Sequence, residues 1–516
     1  MIEKNRSFYW LLAVLLIFCL GIFTQANILL NFDVSWLMRA SQKLLNGGRY
    51  YTDFIETNPP LILYFYISPV LMAKLFHVGF AIPLKLYIFA WAAISVFICG
   101  FLLKDIFADG DGRSRNILLL TIAFVYVLLP GYSFGEREHI ALILTLPYLL
   151  VIVSRLGNKI PGRYLLLLIG VMAGTGFALK PYFLFVLVFI EFYLMFKRRD
   201  FFSWIRLETS ALIFFIIIYV ISIFLITPEY IYKVWPLVYR LYFIGAKESW
   251  SLVLSQSAIV FYLITLGFIV LLYDKIRHKN LINVLMLAAT GFLCSYLIQR
   301  TPWYYHVFPA LALTSILIVL LLCEYIANIN LQKSATKWKG FILVACIGAV
   351  IMLFPVLSTY SHIKAGVVIK NNVHTDPLLN FAKKNARGGP IYVFTIQILM
   401  NSTLVDYAKV PSASRLPSLL FMPGLDRLIN LPQKSKVASE RFMKEKQEVI
   451  DIVVDDLSKN PPSLMFVDEG KKNPSSDEKR FDYLQFFSQD KRFKEIFVHY
   501  TYVKTLGDFA IYARKL

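Results

Sequence analysis

The sequence predicts an α-helical polytopic membrane protein with about eleven transmembrane helices, interfacial helices in a first outer loop, and a small α/β extracytoplasmic domain at its C-terminal end. Three observations carry this expectation. Hydrophobic residues make up 58% and charged residues 17% of the 516 residues, and the mean hydropathy is +0.61, a balance foreign to soluble domains. The apolar residues fall in runs near the roughly 20 residues that a helix rising about 1.5 Å per residue needs to cross a bilayer. The 53 Lys and Arg residues gather in short clusters between these runs, where they set orientation. The formal charge of +20 therefore reads as topology plus attraction to anionic membrane lipids, not as a nucleic-acid surface.

In order, the runs cover residues 8–30, 82–103, 116–132, 140–153, 164–179, 182–196, 207–226, 258–273, 281–298, 306–322 and 340–357. Lys4 and Arg6 precede the first run with no small-residue cleavage site after it, so it reads as an uncleaved helix. A further apolar run, 61–76, is assigned by the positive-inside rule. If it lies on the membrane, the inner connections hold Lys104, Arg113 and Arg115; Arg155, Lys159 and Arg163; Lys197, Arg198, Arg199 and Arg206; Lys275, Arg277 and Lys279; and Lys333, Lys337 and Lys339. If it crosses, most of these clusters move outside. The run is therefore expected to be an interfacial helix of the first outer loop, residues 31–81. The cysteines, Cys19, Cys99, Cys294, Cys323 and Cys346, lie in or at the ends of apolar runs without CxxC spacing, which suits packing.

The membrane domain is thus expected over 1–358. After about residue 359 charges become frequent, and a soluble α/β domain is expected over 359–516. Strands are read at 390–397 and 463–467, an amphipathic helix at 437–457, and a closing hairpin from 493–503 and 508–513.

The polar residues that suit chemistry fall in the outer connections. Asp33 directly follows the first run and precedes a helical stretch, 34–46, that Gly47-Gly48 would stop. It fits a helix N-cap and also a general base at the mouth of an apolar wall. Asp53 and Glu56 precede Asn58-Pro59-Pro60, and each suits either a solvated loop acid or a substrate group. Lys180, followed by Pro181 between two apolar runs, is either a snorkelling lysine or a phosphate contact. The connection from Ser133 to His139 packs Glu136, Arg137 and Glu138 into a few residues: an ordinary wet loop, or one in which Arg137 meets phosphate. Arg300, Trp303, Tyr304, Tyr305 and His306 form a similar step, whose aromatics suit the interfacial belt or a sugar ring. Glu191 is the carboxylate within a span, where a hydrogen bond between helices would satisfy it.

Taken in order, these residues resemble GT-C glycosyltransferases, in particular protein O-mannosyltransferase-like and lipid A aminoarabinose transferase-like enzymes. The likeness rests on Asp33 after the first span, Glu56 before Asn58-Pro59-Pro60, Glu136-Arg137-Glu138-His139, Leu179-Lys180-Pro181, Trp303-Tyr304-Tyr305-His306 and an outer α/β domain. The chain departs from some members in having Glu56-Thr57-Asn58 where they place a base beside the acid, and either Glu136 or Glu138 could fill the second-loop position. The resemblance implies a lipid-linked sugar donor, a polyprenyl phosphate sugar, and a glycan, lipid or protein acceptor at the outer face of a bacterial inner membrane. It implies catalytic roles for Asp33 and Glu56, and substrate-binding roles for Asp53, Glu136, Arg137, Glu138, Lys180, Arg300, Trp303 and His306. No cofactor is expected, and the carboxylates leave assistance by a divalent ion open. The rival reading from hydropathy is a transporter or lipid-linked-glycan flippase, which would place ionisable groups near mid-membrane in two related halves.

Overall fold

The computed structural model of the chain describes residues 2–108, 111–330, 335–430, 436–470 and 481–515. It divides into two compact units: Met1–Asn31, Leu71–Ser222 and Glu248–Val368 in the first; Phe32–Val70, Ile223–Lys247 and Ile369–Leu516 in the second.

The first unit is a helical bundle. Among the described residues, eight helices are long and apolar enough to cross a membrane, from Phe8–Ala26 to Ile351–Val373. Three expected spans are shorter helices, Gly112–Val127, Arg163–Ala178 and Leu184–Arg198, yet contacts at their ends show that they run the length of the bundle. At one end, Lys159 donates to the Asp105 carbonyl, Arg198 to the Arg155 carbonyl at 2.7 Å, and Arg277 pairs with Asp111. The basic connections that the sequence assigned to one face therefore meet. At the other end, Gln25 donates to the Gly131 carbonyl at 2.8 Å, Lys180 meets Glu138 and Gln299, and Tyr304 donates to the Leu129 carbonyl.

The same logic settles the run at 61–76. Lys85, in the first turn or so of the helix Ala81–Ile106, donates to the carbonyls of Gln25 and Ile28, both at 2.6 Å. The chain thus starts its second long helix at the end of the bundle where its first one stops, so what lies between makes no net crossing. The intervening helix Leu61–Leu75 has 15 residues, about 22 Å at helical rise and short of a hydrocarbon core of roughly 30 Å.

Inside the bundle, the helix Arg137–Leu156 is almost wholly buried. Its neighbours approach closely because small residues face them. A Cβ on Gly291 would lie 2.7 Å from the Val186 backbone, so the helix Lys279–Gln299 packs directly on Leu184–Arg198. Glu191 is not isolated in this bundle: Arg206 holds it at 2.7 Å and Tyr148 donates to it. Cys99 and Cys323 are buried, while the side chain of Cys346 lies outside the described residues.

In the second unit a four-stranded sheet has the order β1-β2-β4-β3, with β1 Ile391–Phe394, β2 Leu464–Asp468, β3 Tyr500–Leu506 and β4 Phe509–Arg514. β1 and β2 are parallel, and β4 is antiparallel to both β2 and β3. The expected strands at 390–397 and 463–467 are present, and the amphipathic helix spans Lys436–Lys459. The expected hairpin begins later than the apolar pattern suggested. Phe493 belongs to the helix Lys491–Phe497, capped by the Asp490 carboxylate, and β3 starts only at Tyr500. Capping chemistry decided that segment over its alternating apolar residues.

The first loop from Phe32 to Val70 belongs to this unit. Its helix is Phe32–Leu45, two residues earlier than expected, so Asp33 sits within the first turn and is not the residue that precedes it.

Candidate functional site

Within the second unit, Asp33 is the acid of the first turn of Phe32–Leu45, where the helix dipole favours a negative charge. One turn on, Trp36 donates its indole N–H to Glu56 Oε2 at 2.6 Å. The other oxygen of Glu56 accepts from the Asn58 backbone at 2.7 Å and from the Asn58 side chain. Glu56 is 3% exposed and occupied on both oxygens, which makes it a fixed acceptor that orients the Asp33 helix. Residues three apart share a helix face, so this anchor acts on the side that carries Asp33.

Asp53 has a different part. Its carboxylate accepts from the Arg49 backbone at 2.8 Å, and its carbonyl accepts from Lys43 at 2.9 Å. It is exposed and closes a turn.

Two further anchors had no signal in the sequence. Ser35 donates to Asp406 at 2.5 Å, and Arg39 reaches the same carboxylate at 3.3 Å and Ser402 at 3.1 Å. These bonds tie the Asp33 helix to the helix Ile398–Ala408 of the α/β domain. Burial raises the Asp406 carboxyl from its ordinary value and lowers the Arg39 guanidinium, each against the pull of the other. Arg415 does the same for the loop: its guanidinium donates to the Tyr51 carbonyl at 3.0 Å, while its own carbonyl accepts from Ile55 at 2.7 Å. Asp456 and Asp455 hold that guanidinium at 2.6 and 3.1 Å.

Within the first unit, the connection from Ser133 to His139 is not a wet loop. Glu136, Arg137, Glu138 and His139 are each at most 4% exposed, because the helix begins at Arg137 and carries them into the bundle. His139 Nε2 lies 2.7 Å from the Tyr126 carbonyl, an acceptor only, so Nε2 donates. Its Nδ1 accepts from Gly135 at 3.0 Å, so the ring is neutral and structural.

Arg137 pairs with Glu136 at 3.2 Å. Lys180, 5% exposed, donates to Glu138 at 2.6 Å, to Gln299 at 3.0 Å and to His306 Nε2 at 3.2 Å. An ammonium has donors only. His306 therefore accepts at Nε2 and donates from Nδ1 to Thr301. Burial lowers the Lys180 ammonium from its ordinary value, against the pull of Glu138. The Tyr305 ring lies 5.9 Å from the Arg137 guanidinium and 5.8 Å from the Lys180 ammonium, and Trp303 stacks on Tyr305 at 5.8 Å.

Six of the expected site residues, Glu136, Arg137, Glu138, Lys180, Trp303 and His306, are thereby linked. Arg300 points elsewhere: it donates to the Glu248 carbonyl at 2.7 Å and covers the Trp250 ring at 4.9 Å. Gln299 and Thr301 are site residues that sequence reasoning missed, since single neutral polar residues at a helix end carry no pattern. Among the described residues, no three His, Cys, Asp or Glu side chains are gathered as a metal ion would require.

No protein-family description matches this chain, and no curated protein matches it by sequence. Its fold, however, has solved counterparts. Two crystal structures of ArnT from Cupriavidus metallidurans share it, each over 99% of this chain and 98% of that one. The form bound to undecaprenyl phosphate is 10% identical with a TM-score of 0.53; the apo form is 11% identical with a TM-score of 0.52.

Proposed function

We propose that this chain is an inverting membrane glycosyltransferase, moving a sugar from a polyprenyl-phosphate donor to an acceptor at the outer face of a bacterial inner membrane. The acceptor is a lipopolysaccharide, another glycolipid or a protein. The reading is carried chiefly by the buried Lys180–Glu138–His306 cluster with Arg137 beside it, in a chain with the fold of a protein crystallised with undecaprenyl phosphate.

In this reading the leaving group is a phosphate, so the chain needs cations more than a general acid. Lys180 and Arg137 neutralise the charge that develops as the anomeric C–O bond breaks. Asp33 takes the proton from the acceptor's hydroxyl or amine as its oxygen or nitrogen forms the new bond, and a single displacement inverts the anomeric carbon. Glu56 holds the Asp33 helix through Trp36. Trp303 and Tyr305 offer flat apolar faces to a sugar or to the first prenyl units. The basic end of the bundle faces the cytoplasm.

Transport or flipping would call for charged groups near mid-span. Glu191 is instead paired with Arg206, which follows its helix at the basic end.

The test is transfer of labelled sugar from a polyprenyl-phosphate donor by purified protein in lipid nanodiscs. Asp33→Asn should insert and fold like the wild type and lose about 10²–10⁴-fold in rate, the usual contribution of a general base. An unimpaired Asp33→Asn would leave Asp33 a helix-end acid only.

A further inference from the structure

We propose that Glu138 is the resting counter-ion of Lys180 and that it makes the site discriminate between two phosphates, favouring a singly charged phosphodiester over a doubly charged phosphomonoester. The inference rests on the reading above, in which the diester is the donor lipid and the monoester is the lipid phosphate left after transfer.

Lys180 has three N–H donors, and Glu138, Gln299 and His306 take all of them. An incoming phosphate must displace one of these acceptors. Gln299 is neutral, and His306 is neutral by the bonding pattern derived above, so only the Glu138 contact responds strongly to the charge of what arrives. That contact is also the shortest of the three, at 2.6 Å, as charge-assisted bonds are.

The bonding of Glu138 suits exchange better than a purely structural pair. Glu138 is fully buried, yet its Oε2 has no hydrogen-bond partner among the described residues. Buried carboxylates that only brace a fold are normally satisfied on both oxygens, as Glu56 is. Glu208 shows the same within this bundle, where Arg155 bonds to both of its oxygens and Arg206 to one; Glu191 shares the half-satisfied state of Glu138, but its bonded oxygen is held by two donors, Arg206 and Tyr148. Glu138 is half satisfied, so leaving Lys180 forfeits one strong bond and no wider network.

Charge completes the argument. Glu136 pairs with Arg137 and Glu138 with Lys180, so these four side chains sum to zero before any lipid binds. A phosphodiester brings one negative charge. A phosphomonoester brings about −1.5 to −2 at neutral pH, its second pKa being about 6. The extra charge meets the buried Glu138 carboxylate at short range and low dielectric, where repulsion is strong. Glu138 thus weakens retention of the product more than binding of the donor. Removing its charge leaves the cluster at +1, which favours the monoester.

The experiment compares equilibrium binding of undecaprenyl phosphate and of an undecaprenyl-phosphate sugar to full-length wild type and Glu138→Gln in nanodiscs. The expected result is an affinity gain of about tenfold for the monoester, equivalent to about 1.4 kcal/mol, with a clearly smaller gain for the diester. Turnover of the variant should slow through tighter product inhibition. Equal factors for both lipids, or weaker monoester binding, would overturn the proposal while wild-type transfer left the enzymatic reading standing. If Glu138→Gln fails to fold, Glu136→Gln makes the same charge change beside Arg137. It should shift the ratio the same way, and an unshifted or reversed ratio there also overturns the proposal. Wild type that binds neither lipid would remove the enzymatic reading and this inference with it.

Discussion

Trp36 stands one turn beyond Asp33, and the carboxylate it donates to, Glu56, shares a loop with Asp53 yet plays another part. Burial and full occupancy make Glu56 an anchor, whereas Asp53 is an exposed turn acid. Glu56→Gln replaces one acceptor oxygen by an N–H₂ group that must face a donor. It is expected to cost about 1–3 kcal/mol in stability and to slow transfer far less than Asp33→Asn. Thermal melting alongside kinetics would separate the two; a Glu56→Gln protein that melts normally but is as inactive as Asp33→Asn would move Glu56 into the chemistry. At this scale the ionisable candidates were readable in the sequence, because Asp33, Lys180 and His306 stand at the ends of apolar runs. Gln299 and Thr301 were not, since a neutral side chain gains meaning only from the partner that the fold brings to it. Arg300 misled for the converse reason: a cation in the right connection has a fixed address only once its left-handed backbone, φ 53°, and its stacking on Trp250 are known.

Among elements, the α/β domain braces the first loop. Arg415 bridges Tyr51 and Ile55 to Asp455 and Asp456. Arg415→Ala would leave the buried Asp456 carboxylate without its cation, a change worth about 3–5 kcal/mol. The expected signature is faster amide exchange at Ile55 and a lower melting temperature; unchanged exchange there would show that the loop is held by other contacts. Arg415→Lys should recover only part of the loss, because a lysine has no fork to span two carboxylates and a carbonyl.

A second element-level test uses pH. The Arg492 side chain, hydrogen-bonded to Asp490, holds that carboxyl well below the usual carboxylate range. A depressed folded value stabilises the domain above the unfolded carboxyl value of about 3.9 and is lost as the pH falls through the folded one. The stability gap between wild type and Asp490→Asn should therefore be open at neutral pH and close in acid; a gap that widened on acidification would contradict the assignment. None of these braces was legible beforehand. Ser35 and Asp406 are 371 positions apart, and a lone serine or aspartate carries no periodicity that would pair them.

For the whole molecule, hydropathy and charge placement were enough to read the path of the chain. The three short helices were found as spans from their apolar runs, which reach past the helical residues themselves. The Lys85 contacts independently return the chain to the same end of the bundle after the first loop. Single cysteines at Val78, which is 40% exposed, and at Gly162, where a Cβ meets nothing within 4 Å, should label from opposite sides of sealed cells: Val78→Cys from outside, Gly162→Cys only after permeabilisation. The reverse pattern, Gly162→Cys labelling from outside and Val78→Cys only after permeabilisation, would require the helix Leu61–Leu75 to cross.

The most direct test of the central claim is the rate of sugar transfer from a polyprenyl-phosphate donor by purified wild type and Asp33→Asn side by side. The account predicts measurable transfer by the wild type and a loss of about 10²–10⁴-fold in a variant that folds normally. Equal rates in the two proteins, or no transfer by a wild type that binds the donor, would contradict it.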